Sequence, residues 1–201
     1  MIVKVCGITV EEDARGAVAA GANALGFNFW PGSPRYLSPE SAAGFVPRLA
    51  GALKVGVFVD SPAQEIGELA RLLHLDVVQL HGSAEPPTGV RYWRAYSVKS
   101  GFDQDSLRDQ AAEAYLLDAP AGALHGGTGQ TFDWTLIRRA SRKIVVAGGL
   151  DASNVGLAIS TARPWGVDAC SRLEASPGRK DQAKVAAFVA AALAASQVNS
   201  R

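Results

Sequence analysis

Short apolar runs rich in Val, Ile, Leu and Phe recur along the chain. Each is closed by glycine or a polar cluster and followed by an Ala/Leu-rich stretch in which apolar positions return every three or four residues. The runs predict strands at IVKVC (2–6), ALGFNF (24–29), LKVGVFV (53–59), DVVQLH (76–81), RYWRAYSV (91–98), AYLLD (114–118), KIVVAGG (143–149) and GVDACS (166–171). Several intervening helices have readable starts. Thr9 with Glu12 reads as a capping box, Ser38-Pro39-Glu40 and Ser61-Pro62-Ala63-Gln64 as a cap followed by proline at the first helical position, and Asp151 as the cap of the segment carrying Leu157 and Ile159. The last helix is expected from about Asp181 to Ala195, with Val185, Phe188, Val189, Ala192 and Leu193 on one apolar stripe.

Eight strands alternating with helices imply parallel pairing, because an antiparallel neighbour needs no helix in between. Dividing 201 residues among eight units leaves about 25 each, enough for one strand, one helix and two short loops. An open doubly wound sheet and a closed eightfold barrel both fit. Eight strands without a change of connection length favour the α/β, single-domain (β/α)8 TIM barrel, expected over residues 1–196 with a frayed tail at 197–201.

Composition narrows the partners. Lys+Arg 20 against Asp+Glu 19 gives a net charge of +1, which argues against nucleic acid or an anionic membrane as the main partner. Two cysteines make no disulfide framework, no apolar run approaches a bilayer span, and the opening MIVKVCGITVEED turns acidic where a signal peptide stays apolar. A cytoplasmic location follows as the expectation.

In a barrel, functional groups sit where strands end. Period two places Ile2, Lys4 and Cys6 on one face. Cys6 is then either a small buried hydrophobe or a thiol tuned by Lys4. Asp118, sharing a face with Leu116, is a catalytic acid or a cap or ion-pair partner, and it lies across the mouth from Cys6, as an acid–base pair requires. Gly126-Gly127-Thr128-Gly129 and Ala147-Gly148-Gly149-Leu150 make either tight turns or a phosphate cradle, and two such clusters on neighbouring strand ends favour phosphate. Asp168, inward-facing on a strand adjacent to the first, pairs with Lys4. Gln79 and His81 point two polar groups into the upper barrel, with His81 either a ligand contact or a structural histidine. Metal-ligand spacing is lacking, so no metal is expected.

KVCGIT (4–9), GFNFWPGSPRYLSPESA (26–42), VGVFVD (55–60), QLHG (79–82), LLD (116–118), GGTGQTFDW (126–134), AGGLDASNV (147–155) and GVDACSRLEASPGRKD (166–181) together resemble phosphoribosylanthranilate isomerases, in order and over nearly the whole chain. The resemblance implies a (β/α)8 barrel catalysing an Amadori rearrangement in tryptophan biosynthesis without a cofactor, on a small phosphosugar–anthranilate substrate, as a monomer or homodimer. It implies Cys6 as general base, Asp118 as general acid, Arg35 on the anthranilate carboxylate, and phosphate held around Gly127, Gly149 and Ser171. Gln79, His81 and Asp168 complete the expected substrate-binding set.

One departure stands out. The family usually places two serines and a glycine after the aspartate of the eighth strand, whereas this chain has Cys170, Ser171 and Arg172. Arg172 either strains the loop or adds a guanidinium to the phosphate. Cys170 ends a strand next to Cys6, so oxidation of the two thiols would disable the base. Two other functions compete: a related sugar-phosphate isomerase also serving histidine biosynthesis, which would carry aspartate where Cys6 stands, and a binding-only phosphosugar barrel, which would need neither Cys6 nor Asp118.

Overall fold

Strands covered on both faces must be apolar at consecutive positions, and that requirement explains the unbroken runs. The computed structural model, which describes residues 1–99, 101–119, 131–137 and 142–198, folds them into β1 (Ile2–Val5), β2 (Ala24–Asn28), β3 (Leu53–Val59), β4 (Val77–His81), β5 (Tyr92–Ser97), β6 (Ala114–Asp118), β7 (Ile144–Val146) and β8 (Gly166–Ala169). Every neighbouring pair is parallel and β8 returns to β1, closing the barrel. The closing register sets Lys4 opposite Asp168 and Val5 opposite Ala169.

Alternate residues divide between two cores. Ala24, Val55, Val77, Trp93, Leu116 and Val145 fill the barrel. Val5, Phe27, Leu80, Leu117 and Val167 face outward and pack on Ala17, Ile66, Ile159 and Phe188 of the surrounding helices. Near the strand starts Trp93 meets Trp165 edge-on, ring centroids 5.7 Å apart, so the lower barrel is plugged by large apolar side chains.

The helices are α1 (Glu11–Ala19), α2 (Pro39–Ala43), α3 (Ala63–Leu72), α4 (Val155–Ala162) and α5 (Gln182–Val198). A helix does not follow every strand, contrary to the sequence expectation. Residues 82–91 run from β4 to β5 without one, and among the described residues between β5 and β6 a single 3-10 turn, Gln104–Ser106, stands in its place. Ten helical residues advance only about 15 Å, leaving nothing for loops, whereas an extended chain covers about twice that; Pro86-Pro87 also disfavours helix there. Side chains staple these links to the barrel instead. Tyr92 Oη and Arg94 Nε donate to Asp109 at 2.7 and 3.0 Å, and Arg94 Nη1 donates to the Ala84 carbonyl at 2.6 Å.

Ser38 caps α2 as expected, accepting from Ser41 N at 3.1 Å. Three other caps differ. Val10 precedes α1 while the Thr9 hydroxyl donates to the Gly178 carbonyl; Pro62 itself is the cap position of α3; and Asn154 precedes α4 while Asp151 closes the preceding turn by accepting from Ser153 N at 2.8 Å. In each case a nearby tertiary or turn partner takes the side chain that sequence offered to the helix. The C-terminal helix runs past Ala195 to Val198, so 197 and 198 are helical rather than frayed, and 199–201 lie outside the described residues. Val185, Phe188, Val189 and Ala192 are buried on its inner face, but Leu193 at 36% exposure marks the edge of that face. An unanticipated hairpin, β9 (Glu174–Ser176) with β10 (Arg179–Lys180), leads from β8 to α5. Among the described residues no helix is long and apolar enough to cross a membrane.

Candidate active site

Strand parity carries Lys4 of β1, Gln79 and His81 of β4, Asp118 of β6 and Asp168 of β8 toward the barrel axis, with Cys6 and Cys170 at the positions just past β1 and β8. Lys4 is fully buried, and its Nζ lies 3.0 Å from Asp168 Oδ1, confirming the pair expected from register. A Cβ on Gly26 would fall 2.5 Å from Cys6 Sγ and 3.0 Å from Lys4 Nζ, so the bare glycine makes room for both groups side by side. Cys6 N donates to the Ala169 carbonyl at 2.9 Å, continuing the ladder that brings Cys170 beside Cys6. Both thiols are free.

These contacts set opposite protonation tendencies at the two ends of the site. A hydrogen bond from Cys170, more than offsetting the cost of burial and reinforced by Lys4, holds the Cys6 thiol well below the ordinary cysteine range. Its partner moves the other way: the bond to Cys6 and then burial push Cys170 well up, keeping it a thiol donor. Burial likewise pushes Asp118 up to about 6, against a hydrogen bond from the Ala119 amide. Asp168 is pushed up to about 7 by burial, with Lys4 pulling the other way. Burial disfavours the Lys4 ammonium, but Asp168 and Cys6 outweigh it and raise Lys4 above the usual lysine value. The barrel mouth thus carries a thiol that ionises more readily than usual on one side and a carboxyl with raised proton affinity on the other.

A pocket opens beside Asp118, lined by Asp118, Ala147–Leu150, Asp168, Cys170, Ser171 and Arg172. Gly148 turns with φ +87°, and a Cβ there would sit 2.6 Å from Ala119 N and 2.8 Å from Asp118 Oδ1. Only glycine lets that loop pass so close to the carboxyl. Gly149 and Ser171 line the same pocket, while Gly127 and the rest of Gly126–Gly129 lie outside the described residues. Arg172 stands in a 3-10 turn, Ser171–Leu173, and is not among the residues with positive φ, so the strain alternative does not apply. Its Nη1 lies 2.8 Å from Asp151 Oδ2 at the pocket rim.

Gln79 Nε2 donates to His81 Nε2 at 2.8 Å, while Gln79 Oε1 is buried without a partner among the described residues. Arg35 reaches the site from the β2–α2 loop and forms a two-pronged pair with Glu174, Nε to Oε1 at 2.9 Å and Nη2 to Oε2 at 2.7 Å. Lys180 completes that group, its Nζ 3.1 Å from Glu174 Oε1. Sequence reasoning assigned no role to Glu174 or Lys180. The available signal was two opposite charges inside SRLEASPGRKD, but without the hairpin nothing showed that they turn inward. Among the described residues no group of three His, Cys, Asp or Glu side chains is placed to hold a metal ion.

A family model described as N-(5'-phosphoribosyl)anthranilate (PRA) isomerase matches residues 3–191. The N-(5'-phosphoribosyl)anthranilate isomerase of Solibacter usitatus is 52% identical over 198 residues, covering 97% of this chain and 98% of that protein. The crystal structure of phosphoribosyl anthranilate isomerase from Thermotoga maritima superposes with a TM-score of 0.87 at 37% identity, covering 96% of this chain and all (100%) of that one. A phosphoribosyl anthranilate isomerase in complex with reduced 1-(o-carboxyphenylamino)-1-deoxyribulose 5-phosphate is similar at a TM-score of 0.81 and 35% identity, with 96% and 100% coverage.

Proposed function

This chain belongs to the N-(5'-phosphoribosyl)anthranilate isomerase family, and we propose that Cys6 is the general base and Asp118 the general acid of the isomerisation. The enzyme converts N-(5-phosphoribosyl)anthranilate to 1-(2-carboxyphenylamino)-1-deoxyribulose 5-phosphate in tryptophan biosynthesis. The single observation that carries the assignment is the opposed tuning of the two groups: a thiol held low by Cys170 and Lys4, facing a carboxyl held high by burial.

Protonated Asp118 gives its proton to the furanose ring oxygen, and the C1′–O bond opens as the nitrogen lone pair forms an iminium. The Cys6 thiolate removes the C2′ proton, and the electron pair of that C–H bond flows toward nitrogen to give the enolamine. Tautomerisation adds a proton at C1′ and removes one from the C2′ hydroxyl, giving the ketone. One proton passed from thiol to carboxylate then restores both groups. Each step is a proton transfer between a group and a neighbour of suitable pKa, the situation in which positioned acids and bases accelerate reactions.

The substrate's two anionic ends have separate anchors. Arg35 takes the anthranilate carboxylate, for which a planar guanidinium is suited. The phosphate is assigned to the backbone around Gly149 and Ser171, with Gly127 from the β6 loop, and Arg172 is close enough to the rim to add a contact. Gln79, His81 and Asp168 surround the sugar, Asp168 also holding Lys4 charged beside the base. The reading includes a cytoplasmic enzyme acting as a monomer or homodimer; a Thermotoga maritima relative is described as dimeric, with monomers generated from it.

Turnover of freshly generated substrate, followed by loss of its fluorescence, tests the proposal with wild type and Cys6→Ser side by side. Decay in wild type and a loss of about two to four decades in kcat for the variant, with product-analogue binding retained, is the expected result. Decay no faster than buffer in both would return the chain to a binding-only barrel, and equal loss of binding and turnover would make Cys6 structural.

A further inference from the structure

Arg35, Glu174 and Lys180 form a charge cluster that the acid–base steps do not use. All three side chains are largely withdrawn from water, exposed by 13%, 4% and 0%. Burying charges is costly unless they are paired and hydrogen-bonded, so a cluster of this kind needs an explanation. Glu174 is fully engaged: Oε1 accepts from Arg35 Nε at 2.9 Å, Lys180 Nζ at 3.1 Å and Gly178 N at 3.2 Å, and Oε2 accepts from Arg35 Nη2 at 2.7 Å.

The hairpin that carries Glu174 and Lys180 is itself tied down. Lys180 N donates to Asp13 Oδ2 at 2.9 Å, Lys184 Nζ donates to the Glu174 carbonyl at 2.9 Å, and Lys180 Nζ reaches the Cys170 carbonyl at 3.2 Å. Arg35, by contrast, comes from a loop. Its stem passes over the strand that bears the base, since a Cβ on Gly7 would lie 3.2 Å from Arg35 Cδ and 2.8 Å from Cys170 Sγ. The anchored hairpin therefore fixes the loop-borne guanidinium.

The bonds to Glu174 use the Nε/Nη2 edge of the guanidinium. A guanidinium has five donors in a planar fork, so the edge built on Nη1 stays available for a second carboxylate. Two cations meet one carboxylate in this cluster, and the surplus positive charge suits an incoming anion. Without Lys180, the Glu174 charge would cancel that of Arg35.

We propose that Glu174, balanced by Lys180, is the positioning residue for Arg35: it grips one edge of the guanidinium and presents the other to the aryl carboxylate of the substrate. The inference rests on the assignment of Arg35 to that carboxylate made above. It gives the β9–β10 hairpin a part in substrate recognition, and it makes Glu174 act on binding of one end of the substrate only. The Glu174 carboxylate, held below its usual range by Arg35 and Lys180 against the cost of burial, remains charged throughout the working pH range.

The test uses the whole enzyme and three probes: the reduced product analogue, its counterpart with phenyl in place of 2-carboxyphenyl, and a pentose 5-phosphate with no aryl group. The ratio of affinities for the first two measures carboxylate recognition. Arg35→Ala is expected to abolish the preference, and Glu174→Gln to cut it by about tenfold, with pentose-phosphate affinity unchanged in both and KM rising more than kcat falls. If Glu174→Gln fails to fold because Lys180 is left buried and unpaired, the double variant Glu174→Gln/Lys180→Met removes that charge and should show the same loss. A preference lost in Arg35→Ala but intact in the folded Glu174 variant overturns the positioning role. A preference intact in Arg35→Ala overturns the Arg35 assignment itself.

Discussion

Asp118→Asn should make the enzyme more stable while removing most of its activity, and the size of the gain follows from the site. Burial raises the Asp118 carboxyl from 3.8 to about 6. Each tenfold change in an ionisation constant is worth about 1.4 kcal/mol, so ionising this group in the folded protein costs up to about 3 kcal/mol relative to the unfolded chain. The side chain is only partly shielded from solvent, which lowers the figure to about 2 kcal/mol. A carboxyl whose folded pKa is raised contributes stability below the unfolded value, and that contribution is lost as pH rises through the folded value. The variant minus wild-type difference should therefore be near zero below about pH 4, grow between about 4 and 6, and stay at about 2 kcal/mol above, equivalent to about 4–8 °C in Tm. Denaturant titrations of both proteins at several pH values measure this directly, with the fluorescence assay showing a loss of about 10²–10⁴ in kcat. A difference independent of pH, or a variant less stable than wild type at pH 8, would refute the claim that burial holds this proton.

Four other perturbations bear on the same site. Lys4→Met leaves Asp168 without its buried partner and should destabilise by about 3–5 kcal/mol in denaturant titration, most of it recovered in Lys4→Met/Asp168→Leu. Gly148→Ala adds a Cβ 2.8 Å from Asp118 Oδ1 at a φ of +87°, so kcat should fall at least about tenfold, with Tm lowered by the backbone strain. Cys170→Ala removes the hydrogen bond that holds the Cys6 thiol low, so the acid limb of the kcat/KM profile should move to higher pH. In wild type, hydrogen peroxide should oxidise the Cys6 thiolate to a sulfenic acid with release of hydroxide, and Cys170 should then displace water to form a disulfide; non-reducing peptide mapping detects it, and two free thiols in inactivated protein would exclude it.

All eight strands were legible in the chain because strands sheathed on both sides require unbroken apolar runs, and a run such as LKVGVFV has few other uses. Parity along those runs also set which residues point inward: Lys4 and Asp168 pair as their positions indicate, and Cys6, Asp118, Gln79 and His81 gather at one end. The connections were less legible. Thr9, Ser61 and Asp151 have the right chemistry to cap helices, yet a cap is one short hydrogen bond that a neighbouring carbonyl or turn replaces at little cost. The link from β4 to β5 has no helix because the span to be covered, together with Pro86-Pro87, decides how ten residues run.

The sequence by itself determined the strands, their order and which polar residues face inward, since these depend on period and order along the chain. Only the tertiary structure decided their chemistry. Whether Cys6 ionises depends on Cys170, 164 positions away in the chain, and whether Asp118 keeps its proton depends on how deeply the barrel end buries it. The same holds for Glu174 and Lys180, two charges in a polar stretch until the hairpin turns them onto Arg35. Protonation and recognition are set by desolvation and by neighbours within a few ångströms, and distance in space between residues far apart in sequence is a quantity that only folding defines.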